Sequence, residues 1–182
     1  FTVQPAHMLG YSDVPYMASI PYNPNQVPPP QNGNVIRIAT VPNPTNMPNS
    51  VVVFPLNVGG YLFWQVDAPQ QGTTATLDVL GDRLMNCCWR DGKLYATHTV
   101  MGGGTFGQRN LVSWFSIDTN GWQAGGSNPS ATPGGGGLID GGSGTHTFMP
   151  SITVNQAGEV GVVLARSSNT QFAGIYLTGR EP

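Results

Sequence analysis

Two adjacent cysteines, Cys87 and Cys88, and two histidines each set between threonines, His98 in Thr97-His98-Thr99 and His146 in Thr145-His146-Thr147, are the side chains best suited to chemistry. Neighbouring strand residues point to opposite faces, so a strand through Arg83–Trp89 buries the two thiols separately, as small apolar groups. The alternative is a vicinal disulfide, whose strained backbone and rigid sulfur surface would give a ligand something to stack on. Leu84 and Met85 also fall on opposite faces, which makes both sides apolar and favours two separate, reduced thiols. Neither arrangement builds a zinc site, which needs grouped Cys or His ligands. The histidines, 48 residues apart, offer a paired polar site that could take a metal together with Asp140, or a sugar hydroxyl. The plainer expectation is that each imidazole bonds a neighbouring backbone carbonyl and fixes strand register.

Aromatic residues are the better binding signal. Trp64, Trp89 and Trp114 recur every 25 residues, and Trp122 follows a turn. Their flat rings could stack on sugar rings, so Trp89, Trp114, Trp122, His98 and His146 form the candidate ligand-binding set; tryptophan at strand centres otherwise fills a core. Tyr11, Tyr16 and Tyr22 on the N-terminal third are read as exposed, available to another chain. Catalytic signatures fail. Ser113, Ser116, Ser167 and Ser168 lack a Gly-x-Ser-x-Gly elbow, and residues 101–107 lack the Lys-Ser/Thr ending of a phosphate loop. Asp118-Thr119-Asn120-Gly121 could offer oxygens to calcium, though a tight turn explains it without an ion. No catalytic residue, metal or cofactor is expected.

These residues must be positioned by strands. The chain has 182 residues, 25 glycines, 16 prolines and only 9% charged residues; its net charge of −2 gives no electrostatic footprint for nucleic acid. No apolar run reaches the roughly 20 residues of a membrane span. Sustained helical periodicity is absent, so the expected class is all-β. Residues 152–180 read as a strand, a turn at Asn155–Gly158, a second strand and a return strand. The same order occurs earlier, with Arg90-Asp91-Gly92 as the turn between the first two strands. Gly92 and Gly158 align 66 residues apart, which suggests β-propeller blades with long connections. The expectation is one segment of about three blades, incomplete as a single chain because closure takes at least about four. Residues 1–50 form a Pro/Asn-rich arm with Val35–Val41 as its one clear strand, 51–122 the central blade or blades, 123–144 a Gly-rich loop and 145–182 the final blade. A hairpin is expected from Val51–Val58 to Tyr61–Asp67 around Gly59-Gly60.

Three linked motifs then carry a resemblance. They are Gly72-Thr73-Thr74 continuing through Leu77-Asp78 to Leu80-Gly81-Asp82-Arg83-Leu84-Met85, then Thr97-His98-Thr99-Val100, then residues 149–168 with Gly174-Ile175-Tyr176-Leu177-Thr178-Gly179-Arg180. Over about 68–182 the chain resembles a family of large secreted bacterial proteins that carry a sialidase-like β-propeller. The resemblance implies that fold, an extracellular or cell-surface setting and further propeller preceding this chain; it implies no reaction. A sialidase-type hydrolase needs a Tyr nucleophile activated by Glu, and the only glutamates, Glu159 and Glu181, sit in a turn and beside the terminus. Ser116–Trp122 resembles the Asp-box of such propellers, with its glycine one place late and its Thr missing.

The expected function is therefore a non-enzymatic extracellular assembly or adhesion module, partnered by another polypeptide or by the rest of the propeller. The alternative is a glycan-binding or glycoside-hydrolysing domain, with a glycan as partner. Alkylation of the denatured protein without reductant, followed by mass spectrometry, is expected to place two alkyl groups on the Cys87–Cys88 peptide; an unlabelled peptide two hydrogens lighter would establish the vicinal disulfide instead.

Overall fold

The computed structural model describes residues 2–21, 32–42, 50–62, 65–102 and 108–182. Tyr22, Trp64, both Pro-rich stretches of the first third and the glycine-rich connection after Gly102 lie outside them. The described residues form twelve strands and no helix: β1 (Val3–Pro5), β2 (His7–Met8), β3 (Tyr16–Ser19), β4 (Asn32–Thr40), β5 (Val52–Leu62), β6 (Leu84–Arg90), β7 (Lys93–Met101), β8 (Asn110–Asp118), β9 (Ser130–Ile139), β10 (Thr145–Val154), β11 (Val160–Ser168) and β12 (Gln171–Arg180).

Asp91 and Gly92, both at positive φ (48° and 82°), make the two-residue turn that pairs β6 with β7 from Arg90↔Lys93 inward. Positive φ at both central positions matches the right-handed strand twist, and glycine carries no Cβ penalty there. Gly158 (φ 87°) ends the longer Asn155–Glu159 turn, where the Asn155 side chain accepts from the Ala157 and Glu159 N–H groups, both at 3.0 Å.

The larger sheet has nine strands. Its path is β1-β3-β4-β5-β7-β6-β2, with β8 on the other side of β7 and β9 beyond β8. Only Ala6 separates β1 from β2, so the ends of that path meet and the sheet is nearly closed and barrel-like. The second sheet is the antiparallel run β10-β11-β12.

Period-2 alternation on β6, β7 and β8 feeds two cores. One face sends Cys87, Trp89, Leu94, Ala96, Val100, Leu111, Phe115 and Ile117 into a core shared with Tyr16, Ala18, Ile36, Ile38 and Tyr61. The other sends Cys88, Tyr95, Val112 and Trp114 against Ile152, Val154, Val160, Val162 and Leu164 of the second sheet. Full burial of a Leu or Ile side chain contributes about 1.5–3 kcal/mol, so these two layers hold the molecule together.

Three expectations are corrected. Residues 59–60 do not turn a hairpin. Strand β5 runs through them, paired with β4, and absorbs two extra residues between Asn57↔Val35 and Tyr61↔Gly33, with Gly59 at φ 92°. The Gly-rich segment 123–144 is not only loop, since Ser130–Ile139 is strand β9, paired with β8. A Cβ on Gly136 would stand 2.9 Å from the Trp114 carbonyl oxygen, so glycine is what permits this close backbone approach. The N-terminal third holds more than one strand. β3 pairs with β4 and sends Tyr16, 2% exposed, into the first core, while Tyr11 is 86% exposed.

Replacing Gly92 or Gly158 by valine is expected to destabilise the protein by about 1 kcal/mol or more, because a β-branched residue resists positive φ. Thermal unfolding of each variant checks this, and melting unchanged from the parent would contradict the turn assignment.

Candidate functional site

The two histidines stand on opposite sides of the β6–β8 layer. His98, on β7, is fully buried between the Tyr61 ring (4.9 Å, edge-on) and the Phe115 ring (5.4 Å). Its Nδ1 lies 3.1 Å from the Asp82 carbonyl oxygen, so Nδ1 carries the proton and donates, while Nε2 has no hydrogen-bond partner among the described residues. Burial pushes the imidazole pKa down to about 4, since charge there would lose its hydration.

His146, on β10, meets a different partner from the expected carbonyl. Its Nδ1 is 3.3 Å from the Asn110 backbone N–H and 3.2 Å from the Asn110 side-chain nitrogen. Both contacts make Nδ1 an acceptor and leave the proton on Nε2. Burial first, and the nearby Arg109 charge second, lower its pKa. The imidazoles are therefore neutral fixtures of two separate environments and do not form a pair.

Asn110 is the residue that sequence reasoning missed. Fully buried, it donates to the Val66 carbonyl (2.6 Å), accepts from the Val66 N–H (3.2 Å) and meets His146, so one amide ties the 65–67 segment, β8 and β10 together. Beside it Arg109 grips both oxygens of Asp140 (2.9 and 2.7 Å from one nitrogen). Burial would raise the Asp140 carboxyl, but the Arg109 hydrogen bonds and charge overcome it and hold the group below its ordinary value. Asp140 is thereby committed to Arg109 rather than to a metal, and no group of three or more His, Cys, Asp or Glu among the described residues could hold a metal ion. The only sequence signal for this network was an Arg-Asn pair opening an apolar strand.

The cysteines are free thiols in different cores, Cys87 in the first and Cys88 in the second. The vicinal disulfide is absent because the strand period turns the sulfurs apart. Burial pushes Cys87 up to about 12 and Cys88 up to about 11, which removes both as nucleophiles near neutral pH. Asp118 of the calcium reading accepts from Thr132 (3.0 Å) and lies 4.0 Å from the Lys93 ammonium, while Asn120 donates across the turn to the Asn128 carbonyl (2.8 Å).

The tryptophans do not share a face. Trp89 stacks on Tyr16 (6.1 Å) and donates to Thr119 (3.1 Å), and Trp122 meets Phe54 edge-on (5.9 Å), all in the first core. Trp114 lies in the second core and borders two clefts. One cleft of about 320 Å³ places Trp114 with Tyr61, Thr132 and the β9 glycines; another of about 330 Å³ adds Tyr95, Lys93 and Arg180. The Arg180 guanidinium covers the Trp114 ring at 5.8 Å and donates to the Gly134 carbonyl (2.8 Å). The five candidate ligand-binding residues are thus divided among structural roles, and Trp114 is the one that lines these two clefts.

Because the His98 pKa is lower in the folded protein than the ordinary 6.5, the unfolded chain binds the extra proton and acid favours unfolding. Its contribution is fully present above pH 6.5, declines as pH falls towards 4 and levels off below that, a total on the order of 3 kcal/mol. The urea midpoint is expected to fall across this window in the parent and to fall distinctly less in His98→Gln, whatever the variant's absolute stability; equal slopes would contradict the buried neutral imidazole.

Compared with protein-family models, with curated proteins and with solved structures, the chain matches none.

Proposed function

We propose that this chain is a non-enzymatic extracellular module that works by assembly or adhesion, built as a sialidase-like β-propeller segment of about three blades that other polypeptide completes. The observation that carries this reading is the outward face of the β10-β11-β12 sheet. Val163 on β11 and Ile175 and Leu177 on β12 share that face, since Leu177 pairs with Val163 and Ile175 with Ala165. Ile175 is 83% and Leu177 76% exposed. Apolar side chains adjacent on an open sheet face mark an interaction surface. What supports a blade-like arrangement is the β10-β11-β12 sheet, a separate antiparallel layer stacked on the β6-β7-β8 strands, whereas β3–β5 continue the larger sheet through the β5–β7 pairing. The polar groups suited to chemistry are held in structural roles, which favours assembly over catalysis.

A glycan-binding role is the second reading, favoured by the two clefts at Trp114. The assembly reading predicts a species larger than the 19.2 kDa monomer in sedimentation velocity, shifted towards monomer by Val163→Glu. A monodisperse monomer at every concentration would overturn it, and saturable tryptophan quenching by a neutral oligosaccharide would then favour the glycan reading.

A further inference from the structure

The two edges of the β10-β11-β12 sheet are finished differently. Along β10, backbone donors are taken by side chains of the neighbouring layer: the Met149 N–H by the Thr99 hydroxyl (3.2 Å) and the Ile152 N–H by the Asn86 amide oxygen (3.0 Å). A bulge between Phe148 and Ser151, with Met149 at φ 49°, further breaks that edge. Among the described residues the outer edge of β12 has no such cover. The Gln71 N–H caps the Gln171 carbonyl at 3.2 Å, and beyond it Gly174–Gly179 pairs with β11 alone among the described residues. After the bulge at Phe172–Ala173, Gly174–Gly179 contains no charge, no proline and no further bulge, the devices by which edge strands avoid association.

We infer that β12 pairs antiparallel with β12 of a second copy of this chain, about a two-fold axis at Tyr176. The inference rests on the assembly reading and names the partner. In this register Ile175 of one copy lies opposite Leu177 of the other, twice, so the two most exposed apolar residues of the patch cover each other. Gly174 faces Thr178, and on the axis Tyr176 faces its own copy, on the side of the strand that packs against the second core. Charge also favours this orientation. Arg180 follows the neutral stretch at one end only, so antiparallel pairing separates the two guanidiniums by about 27 Å of strand, whereas parallel pairing would set them side by side. The result is a continuous six-stranded sheet with a closed, isologous interface.

The test is a charge swap in the full chain. One variant carries Ile175→Lys with Leu177→Lys, the other Ile175→Glu with Leu177→Glu; both positions are exposed, and unchanged melting verifies folding. The parent is expected to sediment as a dimer, each variant alone as a monomer, and their equimolar mixture as a dimer again. A parent oligomer that persists unchanged in both variants would overturn the β12 pairing and leave assembly through another surface standing. A parent that stays monomeric would overturn the pairing and the assembly reading together.

Discussion

Burial of β7 and β8 on both faces is the constraint from which the rest of the structure follows. Nearly every residue from Leu94 to Met101 and from Asn110 to Ile117 is buried. A strand apolar on both faces cannot stand at a surface, so one layer must cover each side. The β3–β5 strands supply one cover and the β10–β12 sheet the other. Cys87 and Cys88 record this geometry on adjacent residues, one thiol in each core.

Such a layer must also satisfy the polar groups it carries, because an unpaired buried donor or acceptor costs about 1–3 kcal/mol. Thr97 donates to the Ser113 carbonyl (2.8 Å), Thr99 accepts from β10, and Asn110 holds both Val66 and His146. Thr147 spans the gap from the other side, accepting from the Val112 N–H (3.1 Å) and donating to the Ile139 carbonyl (2.9 Å). The hydroxyls, amides and imidazoles that looked like chemistry are therefore the fasteners between layers. Among the described residues His98 Nε2, in an aromatic pocket, and the Ser167 hydroxyl stay unmatched, and the neutrality of His98 couples the fold to pH.

Covering the central layer moves the unsatisfied surface outward. The larger sheet curls until its end strands β1 and β2 meet, and β10 is sealed by side chains from below. The outer strand β12 inherits what is left over, an open edge and an apolar face, which is why the proposed association is placed there.

The sequence by itself determined the all-β class, the turns at Gly92 and Gly158 and the opposite facing of Cys87 and Cys88, because these depend on local φ preferences and the two-residue strand period. Only the tertiary structure decided what covers each face. Trp89 and Trp114 stand on different strands, so it took the β7–β8 register to put them on different faces, with Tyr16 and the first core enclosing one and clefts bordering the other. Strand β9 was illegible because Gly134–Gly137 have no side chains to alternate, and its pairing depends on how closely it can approach Trp114. The His146–Asn110 and Ile152–Asn86 bonds join residues 36 and 66 apart. No spacing rule reaches across such separations; folding of the intervening layers brings those groups together.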